Sequence, residues 1–180
     1  MSWPAFARRI RVPIGFAFAV LYLWLARPRW WSVGAGAAIA AAGLCLRASA
    51  AGHVRKSAEI TTSGPYAYTR NPLYLGSMIV AAGFALAARN LWVALILAVL
   101  FAAIYYPVIR WEEKYLTANF PEFAAYSERV PRLFPKWRSQ SAHPNAFSRE
   151  LYLKHREYNA LIGTAAMLAA LAIKLMWWGH

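Results

Sequence analysis

Two adjacent carboxylates, Glu112 and Glu113, stand directly after a long apolar run of the sequence. Ionised side chains are costly near the hydrocarbon region of a membrane unless they have a partner of opposite charge. One interpretation pairs them with Arg70, Arg110 or Lys114 in a surface network. The other interpretation has them bind a cationic ligand, such as an ammonium or a sulfonium group, through charge-assisted hydrogen bonds.

A second candidate element is the stretch GPYAYTRNPLYLG, residues 64–76, which leads into another apolar run. Its Gly64-Pro65 pair is typical of a turn. Asn71-Pro72 is a favourable helix start, because Asn caps free amides and a proline at the first helical position loses no needed hydrogen bond. The tyrosines between them are typical of a membrane interface. Arg70 has no role in this structural interpretation, so we expect it to reach the segment that carries the two glutamates.

The remaining reactive side chains predict neither thiol chemistry nor a metal centre. Cys45 is the only cysteine and lies inside an apolar run, which favours a small packing residue over a nucleophile or a disulfide. His143 and His155 are separated by twelve positions, and no further ligand pattern accompanies them.

The composition indicates a membrane protein. Of the 180 residues 60% are hydrophobic and 15% are charged, whereas soluble domains are about 45–50% apolar. Apolar runs predict about five transmembrane helices, at residues 12–26, 33–46, 73–88, 91–109 and 161–178. Basic residues near their ends are expected to extend toward the membrane surface: Arg11, Arg27, Arg47 and Lys174. Glycines in the second and third runs are expected to allow close helix approach: Gly34, Gly36, Gly43, Gly76 and Gly83.

The connections and the charges predict how the chain crosses the membrane. Residues 27–32 and 89–90 are short links, which predict two antiparallel hairpins. The longer polar segments 47–72 and 110–158 then face one compartment. With a cytoplasmic N-terminus, sixteen of the twenty Lys and Arg residues and all seven acidic residues fall on that side. This distribution follows the positive-inside rule, so the net charge of +13 calls for no nucleic-acid partner. The basic segment 139–158 is expected to rest on anionic headgroups.

The motifs together resemble those of the superfamily of isoprenylcysteine carboxyl methyltransferases and phospholipid N-methyltransferases. Gly-Pro-Tyr, Arg-x-Pro-x-Tyr, Glu-Glu-x-x-Leu and Val-Pro occur in the family's order between about Ser63 and Pro135. The resemblance implies an all-α, polytopic membrane enzyme. It also implies S-adenosylmethionine as cofactor and a lipophilic acceptor, either an isoprenylcysteine-like carboxylate or a phospholipid amine. The abundance of Ala, Arg and Trp favours a bacterial inner membrane, with the active site on the cytoplasmic side.

The resemblance also assigns roles to individual residues. Cofactor-binding positions are Gly64, Pro65, Tyr66, Arg70, Asn71, Pro72, Tyr74, Glu112, Tyr126 and Pro131, and catalytic positions are Glu113 and Arg110. Asn71 stands where the family usually has histidine. Because an amide takes no proton near neutral pH, both the cofactor contact and a base role at this position are in question.

Within this implied site each charge of the cofactor has a candidate partner. Glu112 or Glu113 would bind the ammonium group, Arg70 the carboxylate, and tyrosine faces the sulfonium. Glu113 is the candidate base for an ammonium acceptor. Arg110 either orients an anionic acceptor or neutralises the glutamates.

The implied organisation is a single membrane domain, residues 1–180. It consists of a first helical hairpin (1–52), a cofactor loop (53–72), a second hairpin (73–110), a cytoplasmic catalytic or amphipathic segment (111–158) and a fifth transmembrane helix (159–180). Two other interpretations stay open. One is an NADPH-dependent reductase related to membrane sterol reductases, and the other is a non-enzymatic membrane scaffold.

Overall fold

The computed structural model describes residue 15 and residues 17–55, 60–136 and 146–178. Within these ranges the chain contains helices and connecting loops and no strand. The helices are α1 (17–25), α2 (Trp30–His53), α3 (Pro72–Ala88), α4 (Leu91–Leu100), α5 (Tyr106–Asn119), α6 (Glu122–Arg129), α7 (Arg149–Lys154) and α8 (Tyr158–Trp178). The predicted all-α membrane bundle is confirmed. Arg11 and His143 lie outside the described residues.

Three helical stretches in the described ranges are long and apolar enough to cross a membrane: Trp30–His53, Leu91–Asn119 and Tyr158–Trp177. The third predicted run forms the shorter apolar helix Pro72–Ala88. The stretch that begins at Leu91 joins α4 to α5 through a π-helical turn, Phe101–Tyr105. It continues ten residues beyond the predicted end of the span at Ile109, so Glu112 and Glu113 lie on a helix and not in a loop.

The closest helix contact joins α2 to α3 in antiparallel orientation. A Cβ atom on Gly36 would lie 2.5 Å from the carbonyl oxygen of Gly83, and one on Gly43 would lie 2.7 Å from that of Gly76. Each pair is seven residues from the next, two helical turns, so both fall on one face of each helix. The prediction for these four glycines is confirmed. Gly34 has nothing within 4 Å of an added Cβ and takes no part in the contact.

The two short connections lie side by side at one end of the bundle. The backbone amide of Arg27 donates to the carbonyl of Ala88 at 2.8 Å, and the side-chain amide of Asn90 donates to the carbonyl of Leu25 at 2.8 Å. Lys174, near the end of α8, donates to the carbonyls of Leu23 and Ala26 at 2.6 and 2.7 Å. The C-terminal ends of α1 and α8 therefore meet at the short connections.

Exposed tryptophans surround this same end: Trp24, Trp30, Trp31, Trp92 and Trp177. Tryptophan is enriched where helices enter the headgroup layer, so this ring is expected to mark one membrane interface. A helix of 20 residues is about 30 Å long, the thickness of the hydrocarbon core. Counted from Leu91, that length reaches Arg110, so Glu113 is expected about one turn beyond the opposite edge of the hydrocarbon.

Arg47 is turned inward at this second edge. Its guanidinium forms a bidentate pair with Glu157, with Nη2 2.9 Å from Oε1 and 2.7 Å from Oε2. It also donates to the hydroxyl of Ser77. The side chain of Arg47 therefore joins α2 to α3 and to Glu157, the residue before α8. It does not extend toward the membrane surface as the sequence predicts.

Candidate functional site

The loop that carries the Gly-Pro-Tyr motif is shaped by one glycine and one buried tyrosine. Gly64 has φ +57°, in the left-handed region that favours glycine. It begins a single 3₁₀ turn, Gly64–Ala67, that buries Tyr66. The hydroxyl of Tyr126 on α6 donates to the carbonyl of Tyr66 at 2.7 Å. Burial raises the pKa of both tyrosines above the ordinary value, so Tyr126 remains a protonated donor at neutral pH.

His53 supports the loop from α2. Its Nδ1 lies 2.7 Å from the carbonyl oxygen of Ser49, which can only accept, so Nδ1 carries the proton. The ring packs against Gly64, where an added Cβ would meet three ring atoms at 2.7–2.8 Å. Phe147 packs edge-on against His53, with ring centroids 6.2 Å apart. Sequence reasoning missed this histidine because it has no motif of its own.

Residues 130–136, which include the Val-Pro pair, are hydrogen-bonded to the loop along their length. The amide of Arg70 donates to the carbonyl of Pro131 at 2.9 Å, and the amide of Lys136 donates to that of Tyr68 at 3.1 Å. Between them, the hydroxyl of Thr69 donates to the carbonyl of Leu133 at 2.8 Å. The two segments, about sixty residues apart in sequence, therefore form one structural unit.

Glu113 is the centre of this unit. Its Oε2 accepts from Nε of Arg132 at 2.7 Å, and its Oε1 lies 3.3 Å from Nη1 of Arg70. The side-chain amide of Asn71 also donates to Oε1, at 3.3 Å. The exposed fractions of the side chains are 10% for Glu113, 13% for Arg70 and 44% for Arg132. The predicted meeting of Arg70 with the glutamate segment is therefore present, with one carboxylate between two guanidinium groups.

The predicted role of Asn71 as a side-chain helix cap is wrong. The residue does precede α3, and its backbone carbonyl accepts from the amide of Leu75 at 3.0 Å. Its side chain makes no capping hydrogen bond. The amide nitrogen instead donates to the carbonyl of Arg132 at 2.9 Å and to Glu113. A buried carboxylate that needs donors outcompetes the free amides of α3, and Pro72 has removed one of those amides.

The other predicted site residues lie around this centre. Pro72 is buried at the start of α3. Tyr74, one turn into that helix, packs edge-on against Tyr105 of the π-turn, with ring centroids 5.6 Å apart. Glu112 is half-buried on α5, and Arg110 is exposed on the same helix. Successive helical residues point about 100° apart, so Glu112 and Glu113 project in different directions. The charge of Glu112 nevertheless acts on the loop, where it adds to the effect of burial in raising the pKa of Tyr66.

Two buried polar atoms in the described residues have no hydrogen-bond partner, and both belong to the loop. They are the hydroxyl of Ser63, a residue only 1% exposed, and Nε of Arg70. The loop also borders a cavity of about 420 Å³. It is lined by Leu46, Ser49, Gly64, Pro65, Tyr68, Thr69, Leu75 and Pro135. Ser63 and Arg70 do not line this cavity themselves, but their chain neighbours Gly64 and Thr69 do.

Among the described residues no group of three or more His, Cys, Asp or Glu side chains could hold a metal ion. Two residues of the candidate site were absent from the sequence predictions, Arg132 and Ser63. Arg132 stands inside the Val-Pro segment but carried no assigned role, and Ser63 immediately precedes the Gly-Pro-Tyr motif. Several arginines and lysines were equally available to Glu113, and only the packing of α5 selects between them.

Comparison with known proteins gives two curated relatives from bacteria. The nickel-cobalt-cadmium resistance protein NccN of Alcaligenes xylosoxydans xylosoxydans is 41% identical over 103 residues, which cover 54% of this chain and 48% of the relative. The cobalt-zinc-cadmium resistance protein CzcN of Cupriavidus metallidurans is 38% identical over 103 residues, with the same two coverages. The chain thus spans about half the length of the curated relatives it matches. No solved structure matches the chain.

The sequence profile of the phospholipid methyltransferase family matches residues 14–122. This range is more than half of the chain, and it contains the Gly-Pro-Tyr loop, Arg70 and both glutamates. The chain therefore belongs to the phospholipid methyltransferase family of membrane enzymes.

Proposed function

We propose that this protein is a methyltransferase that uses S-adenosylmethionine to methylate a lipophilic acceptor at the membrane surface. Membership of a methyltransferase family supports the reaction class. The observation that supports a bound cofactor is the pair of unpartnered polar atoms in the loop, on Ser63 and Arg70. A buried polar group without a partner costs about 1–3 kcal/mol. In this proposal the loop opens slightly when the ligand binds, and the ligand completes the hydrogen bonds of both groups.

The residues present fit this cofactor. Arg70, with Nε unused, suits a carboxylate, and Glu112 is the candidate for an ammonium group. The ring faces of Tyr66 and Tyr74 are the candidates for a sulfonium. The cavity of about 420 Å³ is lined by Gly64, Pro65 and Thr69 of the same loop, and its volume falls within the range of about 300–1,000 Å³ that small-molecule sites occupy. When bound, the cofactor supplies an electrophilic methyl group.

Glu113 holds the two arginines in place in this proposal and does not act as the base. Its carboxylate already accepts hydrogen bonds from Nε of Arg132 and from the side-chain amide of Asn71, and Nη1 of Arg70 lies 3.3 Å from Oε1. The rate enhancement then comes from alignment of acceptor and methyl group in a site that excludes water. Arg110, exposed on α5, remains a candidate for contact with an acceptor at the surface.

Depth in the membrane supports a lipophilic acceptor. Glu113 is expected about one helical turn beyond the hydrocarbon edge, where a water-soluble cofactor and a membrane-dissolved acceptor can meet. The excess of basic residues in segments 47–72 and 110–158 makes this the cytoplasmic side of a bacterial inner membrane in our proposal.

Calorimetry on the purified full-length protein in detergent tests the cofactor. We expect S-adenosylhomocysteine to bind and NADPH not to bind. Arg70→Gln should lower the affinity for S-adenosylhomocysteine at least about tenfold, because a charge-assisted hydrogen bond is lost. Arg129→Gln, which removes an equal charge from the exposed end of α6, is the matched control.

The outcomes of this titration separate the competing functions. Binding of NADPH alone would favour the reductase, and binding of neither ligand would favour the scaffold. The acceptor is then sought by incubating lipid extracts with the enzyme and labelled methyl donor, followed by mass spectrometry for products heavier by one CH₂ group.

A further inference from the structure

Arg132 has donors that the protein does not use. Its Nε is bonded to Glu113, and within the described part of the chain its two terminal guanidinium nitrogens have no protein partner. The side chain is 44% exposed, whereas Arg70 on the other side of the carboxylate is 13% exposed. Bonding through Nε fixes the plane of the guanidinium and leaves a fork of N–H groups that faces away from Glu113. Such a planar fork matches the two oxygens of a carboxylate or a phosphate.

The charges of the cluster also point to an anion. Two guanidinium groups surround a single carboxylate, so the unit carries one surplus positive charge in a partly buried position. The same segments carry three exposed cations, Arg110 and Lys114 on α5 and Lys136 four residues after Arg132, and one half-buried anion, Glu112. A cationic acceptor would approach this surface against repulsion, while an anionic acceptor would be attracted to it.

From these two observations we infer that Arg132 binds the anionic oxygen group of the acceptor and selects anionic acceptors over cationic ones. This inference rests on the proposed function. It assigns a specificity-determining role to the residue that directly follows the Val-Pro pair, which the motifs themselves leave without a role. The acceptor it predicts has an apolar chain that lies in the membrane and a carboxylate or phosphate that reaches the fork of Arg132.

The chemistry of a carboxylate acceptor agrees with a site whose glutamate is not a base. A carboxylate oxygen attacks the methyl carbon, the new C–O bond forms as the C–S bond breaks, and the bonding pair leaves with sulfur. No proton is moved, and the products are a methyl ester and a neutral thioether. An ammonium acceptor, in contrast, must first lose a proton, and Glu113 is already engaged by hydrogen bonds from Arg132 and Asn71 and by the ion pair with Arg70.

Binding of short amphiphiles to the full-length protein tests the inference without turnover. The probes are decanoate, decyl phosphate and decylamine, which share one chain and differ in charge. They are titrated in the presence of saturating S-adenosylhomocysteine. We expect decanoate or decyl phosphate to bind at least about tenfold more tightly than decylamine, and Arg132→Gln to remove this difference. Comparison of the two anions separates a carboxylate site from a phosphate site.

Two variants control for charge and folding. Arg129→Gln removes one positive charge nearby and should leave the preference for anions intact. Arg132→Lys keeps the charge and loses the fork, so it should retain only part of the preference. Equal binding of all three probes to the unmodified protein, or an unchanged preference in Arg132→Gln, overturns the inference. The inference is also overturned if Arg132→Gln weakens S-adenosylhomocysteine binding as much as it weakens anion binding. Arg132 would then bind the cofactor and not the acceptor.

The proposed function can fail separately. If the protein binds no S-adenosylhomocysteine, the same titrations are run without it. An anion preference that depends on Arg132 would then stand without a methyltransferase activity.

Discussion

The stability of the Asn71→Asp variant distinguishes two possible roles of this residue, a side-chain cap of α3 and a hydrogen-bond donor to Glu113. Aspartate caps helices about as well as asparagine does, so a capping role predicts almost no loss of stability, while Asn71→Ala would cost about 1 kcal/mol. The observed contacts predict the reverse order. The side-chain amide of Asn71 donates to Glu113 and to the carbonyl of Arg132, and aspartate can donate to neither.

The size of the effect follows from these two contacts. Loss of a hydrogen bond to a charged group costs about 1.5–3 kcal/mol and loss of a neutral one about 1 kcal/mol, so Asn71→Ala should cost about 2.5–4 kcal/mol. In Asn71→Asp a carboxylate oxygen replaces the nitrogen that lies 3.3 Å from Oε1 of Glu113. Two like charges about 4 Å apart repel by about 4 kcal/mol near a protein surface, part of which Arg70 and Arg132 offset. The expected cost of Asn71→Asp is about 3–5 kcal/mol.

The free energy of unfolding is measured by titration with a denaturing detergent from mixed micelles, for the unmodified protein and both variants. Ser148→Asp is the control, because Ser148 does cap α7 by accepting from the amide of Leu151 at 3.3 Å. It should change stability by less than about 0.5 kcal/mol. Should Asn71→Asp prove as stable as the unmodified protein, or more stable than Asn71→Ala, the internal role of Asn71 would have to be abandoned.

Three further substitutions test the surrounding structure by the same measurement. Glu113→Gln should lower the free energy of unfolding by about 3 kcal/mol, because it leaves Arg70 and Arg132 without their carboxylate. Glu128→Gln, at an exposed position, is the control, and an equal loss in both variants would contradict the Glu113 cluster. Gly36→Ala should lower the free energy of unfolding by about 1–3 kcal/mol, because the added methyl group clashes with Gly83. Gly34→Ala is the control and should be tolerated, so an equal loss in both variants would refute the close crossing of α2 and α3. Tyr126→Phe should cost about 1 kcal/mol at neutral pH. Burial raises the pKa of Tyr126 in the folded state, so just above about pH 10 only the unfolded state releases the proton of this tyrosine. The free energy of unfolding of the unmodified protein should therefore fall more steeply with pH in this range than that of Tyr126→Phe. If the two proteins lose stability in parallel, Tyr126 is solvated.

The features that the sequence predicts well are those set by local pattern. Apolar runs identify the helical membrane bundle, and glycines seven residues apart predict the crossing of α2 and α3. The single link Arg89-Asn90 forms the predicted tight connection, with Arg89 left-handed at φ 49° and Asn90 accepting from the amide of Trp92. Each of these depends on residues that are close in sequence or on composition alone.

The features that the sequence does not predict depend on rotation and on distant partners. Asn71 has the right type and position for a cap, and only the arrival of Glu113 from 42 residues away redirects its side chain. Glu113 itself faces the loop because of how α5 is rotated. The π-turn at Phe101–Tyr105 holds one residue more than a regular turn, which changes the direction of every later side chain by about 100°. No hydrophobic pattern records that insertion, so Arg70, Arg110 and Lys114 are equivalent candidate partners of the glutamates until the rotation of the helix is known.

The position of Arg132 along the chain suggests where acceptor selectivity resides. The family match ends at residue 122, after the loop and the glutamate pair, whereas Arg132 and the segment that bonds to the loop lie beyond it. The shared part of the chain thus contains Arg70 and Glu113, and a residue from outside the matched range completes their charge balance. In our proposal the cofactor contacts of Arg70 and Glu112 fall within the matched range, and the acceptor contact of Arg132 falls beyond it. The residues after 122 are therefore where differences in acceptor charge can be accommodated without disturbing the cofactor loop, provided that the 130–136 backbone keeps its hydrogen bonds to Tyr68, Thr69 and Arg70.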